Sequence, residues 1–372
     1  MIKINLPDNF TDLKVIQDNY SKLAKKIYAQ LKSTEILYQY NGITTTFESE
    51  TDVKRFLLAP DFDSYKFREK EDPFLCGLYD LSGNCSIKNI VEGVNGKGCP
   101  KIKEFAKRFP PKEFKAQYDD LRKFIGERLG KYLKECGTSA DRTKWKEIER
   151  IFSYDGLNTN WRHEILCAMD VPVCPYCNMN YTINYELDDV ERSTADVDHF
   201  YLKSQNPEYA LCLYNFIPAC PVCNSRFKGN KTMRRSSHIY PFEESYRGKA
   251  RFEIKNVVEM ELHANNTAKI QLTYDPVQEE KVKNSEEIFK NSERYEQLHG
   301  IAEEMLEKVR VYTEDYGMEL RSNFSEIVGQ ISVKDLVFGQ KLDESEYARV
   351  SLGKFRMDLL QQLGVFPDEE IE

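Results

Sequence analysis

Long hydrophobic runs are missing from this chain. No stretch approaches the roughly 18 apolar residues that a membrane helix needs, so a spanning segment is not expected. The opening residues Met1 to Phe10 lack a basic segment followed by an apolar one, the mark of a secretory signal. The expected location is therefore the cytoplasm, with no membrane partner. An excess of positive charge is missing too. Lys and Arg number 53 against 61 Asp and Glu, a formal net charge of −8. That excludes a surface coated with positive charge for indiscriminate nucleic-acid binding, and leaves a local basic groove as the alternative. Internal repeats and low-complexity tracts are absent. The glycine pattern from Gly93 to Gly98, GVNGKG, lacks the spacing of a phosphate-binding loop and places Gly after Lys97, so a turn-rich loop is expected there.

What the sequence does contain is ten cysteines, which in a reducing compartment do not read as a disulfide framework. Four fall into two C-x-x-C pairs, Cys174 with Cys177 and Cys220 with Cys223, separated by 42 residues. Each pair sits in the same frame, Cys-Pro-Tyr-Cys-Asn and Cys-Pro-Val-Cys-Asn. Two such turns supply four thiolates to one tetrahedral ion, which makes a structural zinc the expected cofactor. A redox pair or buried thiols would account for the cysteines alone, but not for the repeated Pro and Asn. Cys76, Cys85, Cys99, Cys136, Cys167 and Cys212 show no paired spacing and read as small buried hydrophobes.

On either side of this segment the periodicity is helical. Phe10, Leu13, Ile16, Tyr20, Leu23, Ile27 and Leu31 recur at three- and four-residue steps. Phe114, Tyr118, Leu121, Ile125, Leu129 and Leu133 repeat the pattern, and a third helix is expected from Ala140 to Phe152. Between the first two lies an irregular, Gly-rich segment, about 72–100. After the cysteine region, RFEIKNVVEMEL and AKIQLTY read as two strands of a small hairpin. Ile288, Tyr295, Leu298, Ile301, Met305, Val309 and Tyr312 form one late helical stripe. Leu352, Phe355, Leu359 and Leu363 form another, stopped by Gly364. These stripes read as core. The expected class is α+β. Helical regions 1–155 and 246–372 flank a central unit 156–245, the later one beginning with the hairpin.

Within the central unit, Val197-Asp198-His199-Phe200 is a short strand-like run. Asn215 follows His199 by sixteen residues, and Asn224 follows Asn215 by nine, directly after the last paired cysteine. Arg226, Lys228, Lys231, Arg234 and Arg235 come next, with no acidic residue among them. The stretch CPYCNMNY, then DVDHFYLKS, then LYNFIPACPVCNSRFKG resembles the HNH, or ββα-metal, nucleases in the form braced by two zinc knuckles. It particularly resembles HNH proteins of bacterial anti-phage systems, such as the Septu-type and retron-associated modules. The resemblance covers about 70 residues, Cys174 to Pro241. It implies a zinc-braced ββα core that hydrolyses DNA, with RNA as an open alternative. It also implies His199 as general base, Asp198 as first metal ligand, Asn215 as the loop-shaping middle residue and Asn224 as second metal ligand. The order H-N-N replaces H-N-H, and Leu202 stands where relatives carry Pro. A catalytic Mg²⁺ or Mn²⁺ is implied beside the structural zinc, and a partner such as an ATPase beside the nucleic acid. Oligomerisation is left open.

The chemistry agrees with that assignment. Phosphodiester hydrolysis needs a positioned water, a base near neutral pH and charge stabilisation. Histidine suits the first role by its unperturbed pKa. A hard cation takes oxygen ligands such as Asp198 and Asn224. Adjacent strand residues point to opposite faces, so Asp198 and His199 are expected to diverge. The Asn215 side-chain carbonyl is expected to hold the far nitrogen of His199. Asn224 is expected at a helix start with Lys228 and Lys231 following on successive turns. With Lys203, Arg226, Arg234 and Arg235 they form the expected phosphate-facing set. His238 reads as structural or phosphate-facing, and His163 as packing; His263 and His299 carry no expected role. The competing function is a zinc module that binds nucleic acid or protein without cleaving.

Overall fold

The computed structural model describes residues 1–67 and 147–365, apart from 35, 155–156, 158, 263–266, 313, 324–337, 339–345 and 347. The expected helix at Phe114 to Leu133, the Gly-rich segment, Cys76, Cys85, Cys99, Cys136 and His263 lie outside the described residues. Of the third expected helix only the end is described, with 147–151 helical.

The first periodic stretch folds as helix α1, Lys14–Leu31. Its buried residues, Ile16, Tyr20, Leu23, Ala24, Ile27 and Leu31, are one face of a 3.6-residue repeat. Phe10 precedes it in a short 3-10 turn. A small hairpin, β1 (Tyr38–Tyr40) and β2 (Ile43–Thr45), leads to α2, Glu50–Leu58. Ser49 caps α2 by accepting the Asp52 N–H at 3.2 Å, and Glu50 and Asp52 place negative charge in its first turn. Helix α3, Thr159–Met169, packs back on α1, where Trp161 meets Tyr20 edge-on at 5.5 Å and Asn19 donates to Glu164 at 2.8 Å.

Two hairpins follow. Strands β3 (Asn184–Leu187) and β4 (Val190–Ser193) turn at Asp188-Asp189, both left-handed at φ 53° and 56°, as a tight two-residue hairpin requires. Tyr181, Ile183, Tyr185 and Leu187 alternate along one face of this hairpin and are each about half exposed. Strands β5 (Asp196–His199) and β6 (Phe216–Ala219) pair antiparallel, with Asp198 opposite Ile217 and His199 opposite Phe216. All four residues of β6 are buried. Helix α4, Val222–Lys228, follows β6 after two intervening residues and is wound as a π-helix. Gly229 closes it, donating to the Asn224 carbonyl at 2.8 Å with φ 50°, a conformation that favours glycine.

The later region departs from expectation in two places. The run RFEIKNVVEMEL is a strand only over β7, Arg251–Ile254, and then turns helical in α5, Val257–Leu262. Asn256 makes the break: its side chain bonds the Thr267 carbonyl and the Lys269 N–H, at 3.0 and 2.8 Å. The hairpin partner is β8, Ile270–Thr273, as AKIQLTY implied. The stripe from Ile288 to Tyr312 is three helices, α6 (Glu280–Phe289), α7 (Asn291–Tyr295) and α8 (His299–Val311). Lys290, left-handed at φ 53°, ends α6, and a 3-10 turn at Glu296–Leu298 separates the other two. After α9, Glu314–Asn323, helix α10 spans Gly353–Gln362, and Gly364 at φ 74° follows it as expected.

Among the described residues, four two-stranded sheets lie among helices, and the class is α+β. One hydrophobic cluster runs from Met1 through the paired cysteines to Val365, so the three expected regions share a core. The N-terminal chain laces into the central unit, Ile2 donating to the Pro175 carbonyl at 2.9 Å and Ile4 to that of Pro241 at 2.8 Å. Among the described residues, no helix is long and apolar enough to cross a membrane.

Candidate metal centre and active site

The four paired cysteines converge. Cys174, Cys177, Cys220 and Cys223 are buried, and their sulfurs all lie within 4.8 Å of one another. Each pair is a tight turn closed by its own backbone: Asn178 donates to the Cys174 carbonyl at 2.8 Å, and Asn224 to that of Cys220 at 3.0 Å. Asn178 sits at φ 50°, which asparagine tolerates. The first Asn therefore serves its turn, while the second sends its side chain to Asp196. N–H groups point at sulfur: Met179 to Cys177 and Cys223 to Cys220, each at 3.4 Å, with the Asn180 side chain reaching Cys220 at 3.2 Å. Hydrogen bonds from Cys174, Cys177, Cys223 and Asn180 hold the Cys220 thiol well below the usual range. Burial pushes Cys174 up. A buried, all-sulfur set with donors aimed at it fits a closed tetrahedral zinc site, with no position left for substrate.

Asp198 and His199 diverge as adjacent strand residues must. Asp198, 4% exposed, lies under the first knuckle. Its Oδ2 accepts the Tyr176 hydroxyl at 2.6 Å and its Oδ1 the Lys228 ammonium at 2.7 Å. Lys228 also donates to the His199 carbonyl. Burial pulls the Lys228 pKa down, against the pull of Asp198. Burial and the Asp198 charge push the Tyr176 phenol well up, so it remains a donor. Asn224 is the third residue of α4 and turns its amide to Asp196, at 3.1 Å. Asp198 thus spends one oxygen on a phenol and the other on a buried ammonium, while Asn224 turns its amide to Asp196. As arranged here, Asp198 has no oxygen free for the divalent cation that the resemblance implies.

His199, 8% exposed, faces the other side of β5. Its Nε2 lies 3.0 Å from the Ala210 main-chain carbonyl, and its ring meets Tyr154 edge-on at 4.6 Å and Phe216 at 5.3 Å. Burial lowers its pKa to about 4, aided by Lys228 and Lys203 and opposed by the Ala210 carbonyl and Asp198. The imidazole is therefore neutral at pH 7. The carbonyl that holds the far nitrogen is Ala210's, where the Asn215 side chain was expected. Asn215 is wholly buried and braces the loop instead. Its Oδ1 accepts the Tyr201 N–H at 2.7 Å, and its amide donates to the carbonyls of Tyr201 and Tyr209, at 3.1 and 3.0 Å. Asn215 acts one step behind His199, since Ala210 adjoins the segment it holds.

The basic set divides. Lys228, expected to face phosphate, is 1% exposed and committed to Asp198. The reason is the π-wound helix, which turns residue 228 inward and leaves Lys231 beyond its end. Arg235 is also structural. Its guanidinium bonds the Pro60 carbonyl at 2.5 Å and the Tyr240 hydroxyl at 3.1 Å, pairs with Asp63 at 3.3 Å and lies 4.1 Å from the Tyr240 ring centroid. Lys203, Arg226 and Lys231 are exposed, and Arg234 is half-buried. Lys203 lies 5.0 Å from the Tyr154 ring that covers His199, and Arg162 lies 4.3 Å from the same ring. His238 has its pKa lowered to about 4 by burial and bonds Ser237 at 2.9 Å. His163 accepts the Ser193 N–H at 3.0 Å, a packing role.

Four contributors escaped the sequence reading: Tyr154, Tyr176, Asp196 and Arg162. Tyr176 carried a signal, since it is the variable residue of the first C-x-x-C and faces the knuckle's interior. Asp196 carried one too, standing two residues from Asp198 on the same strand face. Tyr154 and Arg162 had none, because only the fold brings Tyr154 to His199 and Arg162 to the Tyr154 ring. No family model matches the chain, and neither do any curated protein or solved structure.

Proposed function

We propose that the chain is an HNH-type endonuclease that hydrolyses phosphodiester bonds of DNA, with His199 as general base. One observation carries the reading: the antiparallel β5–β6 pair runs into α4, so His199 ends the first strand, Asn215 fixes the loop between strands, and Asn224 lies in the helix. That is the strand–loop–strand–helix order of a ββα core, stapled at its far end by the four cysteines, which we assign to structural zinc.

His199 donates Nε2–H to Ala210, leaving Nδ1 to take a proton from water. Its neutral form is the one a base needs. The Ala210 carbonyl fixes the tautomer, and Asn215 fixes the loop that carries Ala210. Lys203, exposed beside Tyr154, supplies positive charge on the His199 side of β5. Mg²⁺ or Mn²⁺ belongs to the proposal through the resemblance alone. So does the setting, an effector of bacterial anti-phage defence working with a partner such as an ATPase. High activity of the isolated chain on any DNA would remove the need for that partner.

The test is plasmid cleavage in Mg²⁺ or Mn²⁺ by the wild type and by His199→Ala, with zinc content measured in both. Duplex DNA, single-stranded DNA and tRNA digested in parallel separate DNA from RNA. A non-catalytic zinc module has its own support, because both Asp198 oxygens already have partners. It predicts no cleavage of any substrate with either metal.

A further inference from the structure

The first knuckle does more than present two sulfurs. Its outward side is gripped by two segments far along the chain. From α7, Asn291 donates to the Tyr176 carbonyl at 3.0 Å and the Tyr295 hydroxyl to the Cys177 carbonyl at 2.6 Å. Arg294, between them, sends Nη1 to Cys223 Sγ and Nη2 to Met179 Sδ, each at 3.6 Å, with its guanidinium 4.6 Å from the Phe227 ring centroid. One five-residue helix thus touches both knuckles.

The second segment leads into α10. Asn178 donates to the Val350 carbonyl at 3.1 Å and accepts the Lys354 N–H at 2.9 Å, while the Leu352 N–H reaches the Asn178 carbonyl at 2.6 Å. Ser351 donates to the Met179 carbonyl at 2.6 Å. Leu352 is held left-handed at φ 59°, a conformation an ordinary side chain adopts only when its surroundings insist. Four of these eight bonds end on main-chain carbonyls of residues 176–179, so they depend on the backbone shape of the turn. A metal ion on Cys174 and Cys177 is what would hold that shape.

Charge points the same way. Four thiolates around a divalent ion leave two surplus negative charges. Arg294 is the cation that meets this cluster through a sulfur, and it is half-buried.

We propose that Arg294 is the counter-charge of the four-cysteine metal centre and that metal loading controls docking of 291–295 and 350–354 on the first knuckle. The proposal rests on the zinc assignment and is independent of nuclease activity. The metal keeps the turn in shape, the turn receives the two segments, and Arg294 offsets the charge that the metal leaves on sulfur. Outer-shell partners of this kind set metal affinity by about 10- to 100-fold.

The test uses the full-length zinc-loaded chain. Zinc is counted first, then its release to a chelator is timed for the wild type, Arg294→Met and Arg294→Lys. Hydrogen exchange is followed with and without zinc. Expected are one zinc per wild-type chain, release at least about 10-fold faster in Arg294→Met, and a smaller change in Arg294→Lys. Zinc removal should raise exchange at 291–295 and 350–354 while α1 and α2 stay protected. Wild-type release from Arg294→Met, or unchanged exchange in the two segments, overturns the proposal. A wild-type chain that holds no zinc overturns the metal assignment, and this proposal with it.

Discussion

The four cysteines and the Asp-His-Asn set lie within one central segment, yet they are organised in opposite ways. The cysteines converge on a point, buried, with backbone and side-chain donors aimed at sulfur. Asp198, His199 and Asn224 each face a different partner: Lys228 with Tyr176, Ala210, and Asp196. The difference teaches what each arrangement is built for. A closed sulfur site has no further position and acts as a staple. A set whose members are held separately, each by one or two bonds, has its geometry fixed by neighbours that can be removed one at a time.

The largest effect is expected at the staple. Cys177→Ser should abolish zinc binding and open the first knuckle, freeing 291–295 and 350–354 while α1 and α2 keep their protection. Metal analysis with hydrogen exchange checks this, and a variant that keeps wild-type protection in those segments without zinc would reduce the quartet to ordinary buried thiols. Next comes the buried ion pair. Lys228→Met leaves Asp198 uncompensated and should cost about 3–5 kcal/mol in denaturant unfolding. Lys228→Met with Asp198→Asn should recover much of the loss, because the stranded charge is gone.

Asn215→Ala strands the Tyr201 N–H and two carbonyls, and should cost about 2–4 kcal/mol while loosening the loop that carries Ala210. Zinc content should remain at wild-type level, which separates this effect from loss of the staple. The smallest effect is expected at Lys203→Ala. Stability should hardly change, but DNA affinity should fall and the salt dependence of binding should weaken by about one charge. A fluorescence titration at several salt concentrations reads both.

Much of this was legible in the sequence. The cysteine frame was, because C-x-x-C with a following Asn encodes a turn locally, and two copies define one site. Helix α1 and the β7–β8 hairpin were, because periodicity reports a buried face directly. The stop at Gly364 was legible from its residue type. Less legible were breaks caused by single residues. Lys290 in a left-handed conformation divides a stripe that reads as one helix, and the Asn256 side chain ends a strand that reads as longer. The fate of Lys228 was illegible for a different reason. A basic residue after a knuckle normally faces solvent. It turns inward here because α4 is π-wound, which shifts its register by one residue relative to an α-helix. Tyr154 reaches His199, and Arg162 the Tyr154 ring, only through the packing of distant segments, and no spacing rule reports that.

The central claim is that His199 performs chemistry on a scaffold held by the cysteines. Its most direct test is cleavage of supercoiled plasmid by wild type and His199→Ala, each shown to be folded and to carry zinc. The account predicts metal-dependent nicking or linearisation by the wild type, and a loss of about 100-fold or more in His199→Ala at unchanged zinc content. Equal cleavage by both proteins, or none by the wild type on any nucleic acid, would contradict it.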